Sequence, residues 1–141
     1  MTDYLGFDGE SFAAFRNVPR DGPIHMLNLV KLHKQAIYED GRKATGAEAY
    51  AAYGRESAPV FERVGGKIIW RGAMEHMLIG PNSDDEAWDL CFIAQYPNVE
   101  AFVTMIKDPH YRAAMVNRQA GVKTSRLIRT NPLDLGANFA D

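Results

Sequence analysis

The chain has 141 residues, enough for one domain with a hydrophobic core. Its hydrophobic content of 46% and charged content of 24% are those of an ordinary globular protein. A net charge of −2 argues against broad electrostatic binding to nucleic acid or to an anionic membrane surface. The single cysteine, Cys91, cannot form an internal disulfide, and no apolar run is long enough to span a bilayer. Because the N-terminus also lacks a signal-peptide pattern, we expect a cytoplasmic protein.

The chain is predicted to begin with an extension over residues 1–23 that contains a short helix. Phe12 and Phe15 would share one side of a helix over residues 11–18, and a proline follows it. The first strand is predicted at residues 24–32, where apolar side chains occupy both faces. That pattern is typical of a central strand that is covered on both sides.

The middle of the chain predicts a helix followed by two strands. Residues 33–46 are polar and contain glycine, which favours a loop or a short hairpin. A helix is predicted over residues 47–64, and the glycine pair after it supplies the stop. Strands at residues 67–79 and 88–96 follow, joined by a turn-rich segment.

Two consecutive helices are predicted after these strands. Asn98 is a natural N-cap for a helix over residues 99–107. Asp108 caps a second helix, which starts with a proline at its favoured first position and runs to about residue 120. The last strand is predicted at residues 123–130.

Residues 24–130 therefore form one α+β domain, and residues 131–141 form a tail or arm. The order β-α-β-β-α-β is the ferredoxin-like arrangement. Right-handed crossovers place both helices on one face of a four-stranded antiparallel sheet. The opposite face also carries many apolar residues and would be an exposed apolar patch in a monomer. We therefore predict a homodimer.

Four short motifs follow one another along the chain: Gly65-Gly66, Arg71, Gln95-Tyr96-Pro97 and Asp108-Pro109-His110-Tyr111. Taken in this order, they resemble the DUF1330 family. The resemblance covers about residues 24–130 and implies a dimeric α/β barrel built from ferredoxin-like subunits. It implies no particular reaction, and Gln95 stands where an acidic residue is usual in the family.

The register of the strand pair decides which side chains share a face. If the pair turns near residues 82–85, residues whose numbers sum to about 166 lie opposite each other. Trp70 and Phe92 then face the helices, whereas Arg71 lies opposite Gln95 in a cleft closed by the partner subunit. A slip of one residue would exchange the two faces.

Arg71 is the most specific candidate for a catalytic role. A guanidinium in the middle of a strand is costly to bury without a partner. It could bind the carboxylate or enolate of a small ligand through two parallel hydrogen bonds. Alternatively, it pairs with an acidic group across the dimer or extends to water. The sequence leaves these roles open.

Four further residues are candidates for substrate binding. Asn28 lies in an apolar strand, and its amide could orient a substrate carbonyl or bond to the backbone. Gln95 offers a second amide near Arg71 in the predicted register. Tyr53 and Tyr111 could line a pocket for an aromatic ligand, as could Tyr50 beside them, although the helical spacing of these tyrosines is more typical of core residues.

His110 and His76 are candidate acids or bases, because imidazole titrates near neutral pH. The alternative for each is an exposed or structural histidine. The four histidines are scattered singly, and neither a paired-cysteine motif nor a phosphate-binding glycine loop is present. We therefore predict no metal site and no cofactor.

The predicted function is the binding of a small carbonyl or aromatic compound in a cleft at the dimer interface. In its catalytic form this would be a cofactor-independent, monooxygenase-like or isomerase-like reaction, by analogy with relatives of the family that the motifs resemble. The alternatives are a metabolite-binding module without catalysis, and a structural dimer whose polar strand residues only secure the interface.

Overall fold

Four strands form one antiparallel sheet in the order β2-β3-β1-β4. The computed structural model describes residues 4–140, so residues 1–3 of the predicted extension and residue 141 of the predicted tail lie outside the described chain. The strands are β1 (Ile24–Leu32), β2 (Lys67–Gly72), β3 (Leu90–Tyr96) and β4 (Val122–Thr130). The bounds predicted for β1 are confirmed.

Within the described residues, four α-helices accompany the sheet. They are α1 (Gly9–Arg16), α2 (Gly46–Arg63), α3 (Val99–Lys107) and α4 (Pro109–Gly121). Helix α1 begins two residues earlier than predicted, because an oxygen of Asp8 accepts a hydrogen bond from the Ser11 N–H at 2.8 Å and caps it. The predicted ferredoxin-like α+β fold is confirmed.

Side-chain caps fix where the three longer helices of the domain begin. Thr45 and Glu48 form a capping box at the start of α2. The Thr45 hydroxyl accepts a hydrogen bond from the Glu48 N–H at 3.0 Å, and the Glu48 carboxylate accepts one from the Thr45 N–H at 2.8 Å. Asn98 Oδ1 accepts from a backbone N–H of the first turn of α3 at 2.8 Å. Asp108 Oδ1 accepts from the His110 N–H at 2.8 Å and starts α4. The predicted caps Asn98 and Asp108 are thus confirmed.

The hydrophobic core lies between one face of the sheet and helices α2, α3 and α4. Ile24, Met26 and Tyr96 of the sheet are buried against Phe102 of α3 and Tyr111 of α4. The rings of Tyr96 and Phe102 meet edge to face with their centroids 5.2 Å apart. Burying each such side chain contributes about 1.5–3 kcal/mol, which holds the helices on this face.

Strand β2 is shorter than the sequence pattern predicts. It ends at Gly72, whereas a strand up to residue 79 is expected, and residues 73–83 contain no helix or strand. Strand β3 likewise begins at Leu90 and not at residue 88. The pair is therefore not closed by the short turn on which the predicted register depends.

The predicted register is wrong, and a bulge in β2 also exchanges the faces of the strand. Lys67, and not Arg71, lies opposite Gln95, and past an irregularity between Ile68 and Trp70, Arg71 lies opposite Phe92. One extra residue in a strand turns every following side chain to the other face. Arg71 therefore faces the helices and Trp70 the open side of the sheet, the reverse of the prediction.

The open side of the sheet carries an apolar row that crosses all four strands. Its members, Trp70, Ile93, Leu27 and Ile128, lie side by side on β2, β3, β1 and β4. Trp70 and Ile128 leave 50% and 44% of their surface exposed. This row is the apolar surface for which the sequence predicts a covering subunit.

Candidate functional site

A cavity of about 1290 Å³ lies between the sheet and the helices. All four strands and all four helices contribute to its lining, together with the chain that precedes α1. All of its lining residues belong to one chain, so a ligand-sized space lies on the helix side of the sheet. The cleft between subunits expected from the sequence stays a prediction. The volume of the cavity exceeds the roughly 300–1,000 Å³ of typical small-molecule pockets.

The sheet side of the cavity contains one row of residues that crosses the sheet. Arg71, Phe92, Asn28 and Leu127 lie side by side on β2, β3, β1 and β4, and all of them line the cavity. Neighbouring strands are about 4.8 Å apart, so the backbones of Arg71 and Asn28 are roughly 10 Å apart on either side of Phe92. We call these residues the cavity row. It combines a cation, an aromatic surface and an amide.

Asn28 uses only part of its hydrogen-bonding capacity on the protein. Its Nδ2 donates to the carbonyl oxygen of Met26 at 3.0 Å. Its Oδ1 and second N–H have no partner within residues 4–140. The side chain is therefore fixed by the backbone and still offers an acceptor and a donor to the cavity.

Four arginine side chains line the cavity, and they differ in what they bind. Three of them donate to acceptors of the protein: Arg118 to the Leu5 carbonyl oxygen at 2.6 Å, Arg129 to the Phe15 carbonyl oxygen at 2.6 Å, and Arg126 to the Glu86 carboxylate at 3.2 Å. Arg71 has neither a hydrogen-bond acceptor nor an ion-pair partner in the described chain. Of the four guanidinium groups, that of Arg71 therefore remains free for a ligand.

Three tyrosines of α2 and α4 line the helix side of the cavity. The hydroxyls of Tyr53 and Tyr111 form a hydrogen bond of 2.7 Å, and the ring of Tyr50 lies 5.3 Å from that of Tyr53. Burial raises the pKa of the Tyr50 phenol, while Arg118 and Arg71 act in the opposite direction. No residue from 4 to 140 bonds to the Tyr50 hydroxyl, which remains protonated and can donate to a ligand.

The N-terminal segment, residues 4–20, closes one side of the cavity. The N–H of Ser125 in β4 donates to the Tyr4 carbonyl oxygen at 2.8 Å. The ring of Phe15 in α1 meets the Phe102 ring edge to face, 5.1 Å away. Two of the cavity arginines also donate to backbone carbonyls of this segment, so it is attached to β4 and α4 at several points.

Comparison with known proteins identifies the family of this chain. The family model described as a domain of unknown function, DUF1330, matches residues 41–130. The chain belongs to the DUF1330 family. The match confirms the resemblance inferred from the short motifs, and it runs from the loop before α2 to the end of β4. Strand β1 and the N-terminal segment lie outside it.

Two crystal structures of the RPA0582 protein are similar to this DUF1330 chain over almost its whole length. That of methylated RPA0582 is 60% identical, with 96% of this chain and 99% of that chain covered and a TM-score of 0.91. The other, a protein of unknown function from Rhodopseudomonas palustris, is 59% identical, with 95% and 100% covered and a TM-score of 0.89.

A more distant structural neighbour shares the fold alone. SnoaB, a cofactor-independent oxygenase from Streptomyces nogalater, is 15% identical, with 83% of this chain and 99% of that chain covered and a TM-score of 0.53. A search of curated proteins found no match.

In this DUF1330 protein the cavity brings together four of the residues predicted for the site. Asn28 and Arg71 reach it from the sheet, and Tyr53 and Tyr111 reach it from α2 and α4. Their roles in binding or catalysis remain predictions.

Three other predicted site residues lie outside the cavity. Gln95 is on the open face of the sheet, where its Oε1 is 3.1 Å from Nε2 of His25. His110 is exposed in the first turn of α4, and His76 is exposed in the segment after β2. Neither histidine lines the cavity. The structure therefore separates Gln95 and the two histidines from Arg71.

Sequence reasoning did not assign Phe92 and Arg118 to the site, and it favoured a core position for Tyr50. Tyr50 has the helical spacing of a core residue, and Phe92 has the alternation of a core strand, so neither pattern distinguishes a packed interior from a cavity wall. Arg118 lies one turn after Ala114, on the face of α4 that is buried. An arginine at that helical spacing is only a weak signal of a site residue.

The described residues offer no evident metal centre. Within residues 4–140, no group of three or more His, Cys, Asp or Glu side chains is placed to hold a metal ion. None of the helices in the same residues combines the length and apolar character needed to cross a bilayer. The cavity lining is apolar with a few polar donors, which is the composition of a site for an organic ligand.

Proposed function

We propose that this DUF1330 protein binds a small carbonyl or aromatic compound in the cavity between its sheet and its helices. The observation that supports this most strongly is the cavity row, in which Phe92 lies between Arg71 and Asn28. The Phe92 ring offers a flat apolar surface, and its two neighbours offer free polar groups on either side of it. Such a lining suits a ligand with an aromatic body and a carbonyl or oxyanion group.

Binding without proton transfer agrees best with the chemistry of the lining. Burial raises the pKa of Tyr53 and of Tyr111, so both phenols stay protonated near neutral pH. The carboxylate of the lining, Asp8, already caps α1.

A cofactor-independent, monooxygenase-like or isomerase-like reaction is therefore our second proposal. It requires a ligand that reaches the cavity already ionised, because the lining supplies donors and no free base.

Two matched substitutions test the binding proposal. Ala51 of α2 and Ala113 of α4 are both exposed, but only Ala51 lines the cavity. Ala51→Phe should occupy part of the cavity and weaken binding of a neutral aromatic ketone, 2-acetylnaphthalene, whereas Ala113→Phe should not. NMR titration of the labelled protein measures both affinities and shows whether the signals of Phe92 and Asn28 shift.

Two results would contradict binding in the cavity. One is that the wild-type protein shows no titration with this ketone or with the carboxylate of the same shape, 2-naphthoate, and the other is that both variants bind like the wild type. Mass spectrometry of the recovered ketone and measurement of oxygen uptake then distinguish turnover from binding alone.

We further infer that two chains associate through the open faces of their sheets to form a homodimer. The apolar row that includes Trp70 and Ile128 lies on this face, and covering it would remove a large apolar patch from water. Each cavity would stay within its own subunit, so dimer formation and ligand binding are compatible. Cys91 lies on the same face as a free thiol, which a reducing cytoplasm preserves.

A further inference from the structure

We propose that the ligand of the cavity is an anion, an apolar or aromatic carboxylate or a similar delocalised oxyanion, whose charge is held by Arg71. This inference rests on the proposed function, because it assumes that the cavity binds a ligand. It adds the chemical class of that ligand, and it follows from the charge of the lining and from the bonds that each charged group already makes.

The charged groups of the lining are unbalanced. Four arginines line the cavity, and Asp8 is the acidic side chain among the lining residues. Asp8 is occupied in capping α1, and Arg126 is neutralised by Glu86. Arg118 and Arg129 donate to carbonyl oxygens, which carry no net charge. The cavity therefore has an excess of positive charge that an anion would balance.

Arg71 is the arginine suited to hold the anion, because its donors are not used by the protein. It lies on the edge strand β2, and its pairing with Phe92 fixes its backbone. A planar guanidinium matches the two oxygens of a carboxylate, and such charge-assisted hydrogen bonds are roughly twice as strong as neutral ones. Because Arg71 is exposed at the edge of the sheet, a ligand from solvent can reach it.

A second free donor lines the same cavity. The Tyr50 hydroxyl has no partner in the described chain, and Tyr50 lines the cavity from α2 while Arg71 lines it from β2. An oxyanion between Arg71 and Tyr50 would accept from both. The apolar body of the ligand would then extend over Phe92 towards Asn28, whose Oδ1 suits a polar substituent at the far end.

The test compares an anion with a neutral compound of the same shape. The pair is 2-naphthoate and 2-acetylnaphthalene, which differ in that a charged carboxylate oxygen replaces a methyl group. Affinities are measured by isothermal titration calorimetry for the wild type and for two variants. Arg71→Gln and Lys67→Gln each remove one positive charge from β2, but Lys67 lies on the opposite face, opposite Gln95.

We expect the wild type to bind 2-naphthoate more tightly than the ketone. Arg71→Gln should weaken 2-naphthoate binding by about tenfold or more, because a hydrogen bond to a charged group is lost. It should change the affinity for the ketone by less than about twofold, and Lys67→Gln should change neither affinity by more than that.

Other outcomes overturn the inference and separate it from the proposed function. If the ketone binds as tightly as the anion and Arg71→Gln affects neither, the ligand class is wrong while the binding cavity stands. If Lys67→Gln weakens 2-naphthoate as much as Arg71→Gln does, the anion responds to overall charge and not to the cavity. If neither compound binds at millimolar concentration, both the inference and the proposed function fail.

Discussion

Arg71 lies directly opposite Phe92 on the cavity side of the sheet, and the bulge at Ile69 is what places it there. In a regular strand, Arg71 would share a face with Lys67, which lies opposite Gln95 on the open side. The extra residue redirects the guanidinium towards the helices and turns Trp70 to the open side. One local irregularity thus supplies both the free cation of the cavity and an exposed aromatic side chain of the apolar row.

The hydrogen bond between Tyr53 and Tyr111 is expected to show strong coupling. Either Tyr53→Phe or Tyr111→Phe leaves one hydroxyl without its partner and should lower the free energy of unfolding by about 1–3 kcal/mol. The double variant removes both hydroxyls and should cost less than the sum of the two single changes. Urea unfolding of the wild type, the two single variants and the double variant measures this coupling as a double-mutant cycle. Strictly additive costs would show that the 2.7 Å contact contributes nothing.

The N-terminal segment should loosen when its arginine contacts are removed. Arg118→Gln and Arg129→Gln each delete a guanidinium that donates to a backbone carbonyl of residues 4–20. We expect faster cleavage within this segment by thermolysin, because local opening becomes more frequent. Arg55→Gln is the control, since Arg55 is exposed on α2 and makes no hydrogen bond in the described chain. If Arg118→Gln and Arg129→Gln are cleaved no faster than Arg55→Gln, these two arginines do not attach the N-terminal segment.

Dimer formation should depend on the apolar row of the open face. Trp70→Lys places a charge in that row and is expected to shift the protein towards the mass of one chain in light scattering after gel filtration. Val116→Lys is the matched control, because Val116 of α4 is 54% exposed and lies away from the sheet. A wild-type protein that is already monomeric, or a Trp70→Lys dimer of unchanged stability, would contradict the proposed interface.

The cap of α4 should contribute stability that depends on pH. Partial burial raises the pKa of Asp108, but the N–H groups of Tyr111 and His110 and the guanidinium of Arg63 lower it more, so it lies below the ordinary value of 3.8. A carboxyl group with a lowered folded-state pKa stabilises the protein above its unfolded-state pKa, and the contribution is lost as pH falls through the folded-state pKa.

Asp108→Asn isolates this contribution, because asparagine can still cap the helix but carries no charge. The stability difference between wild type and Asp108→Asn should be largest near neutral pH and should shrink between about pH 5 and pH 2. Urea unfolding across that range measures it. A difference that stays constant down to the lowest pH would show that the charge of Asp108 has no role.

The sequence by itself determined the order of the elements and most of their ends. Asn98 and Asp108 are recognisable caps because a side-chain oxygen next to a helical pattern satisfies free N–H groups locally. The apolar residues of β1 likewise predict a central strand, since a strand covered on both faces needs them on both. These features depend on neighbours a few residues away.

The tertiary structure alone decided the site. The face occupied by Arg71 depends on one extra residue in β2, and nothing in the local pattern of Ile68, Ile69 and Trp70 distinguishes a bulge from a regular strand. Tyr50 and Phe92 have the spacing of core residues, and only the distance between sheet and helices makes them cavity walls. Long-range packing sets that distance, because side chains far apart in the chain must fill the same layer.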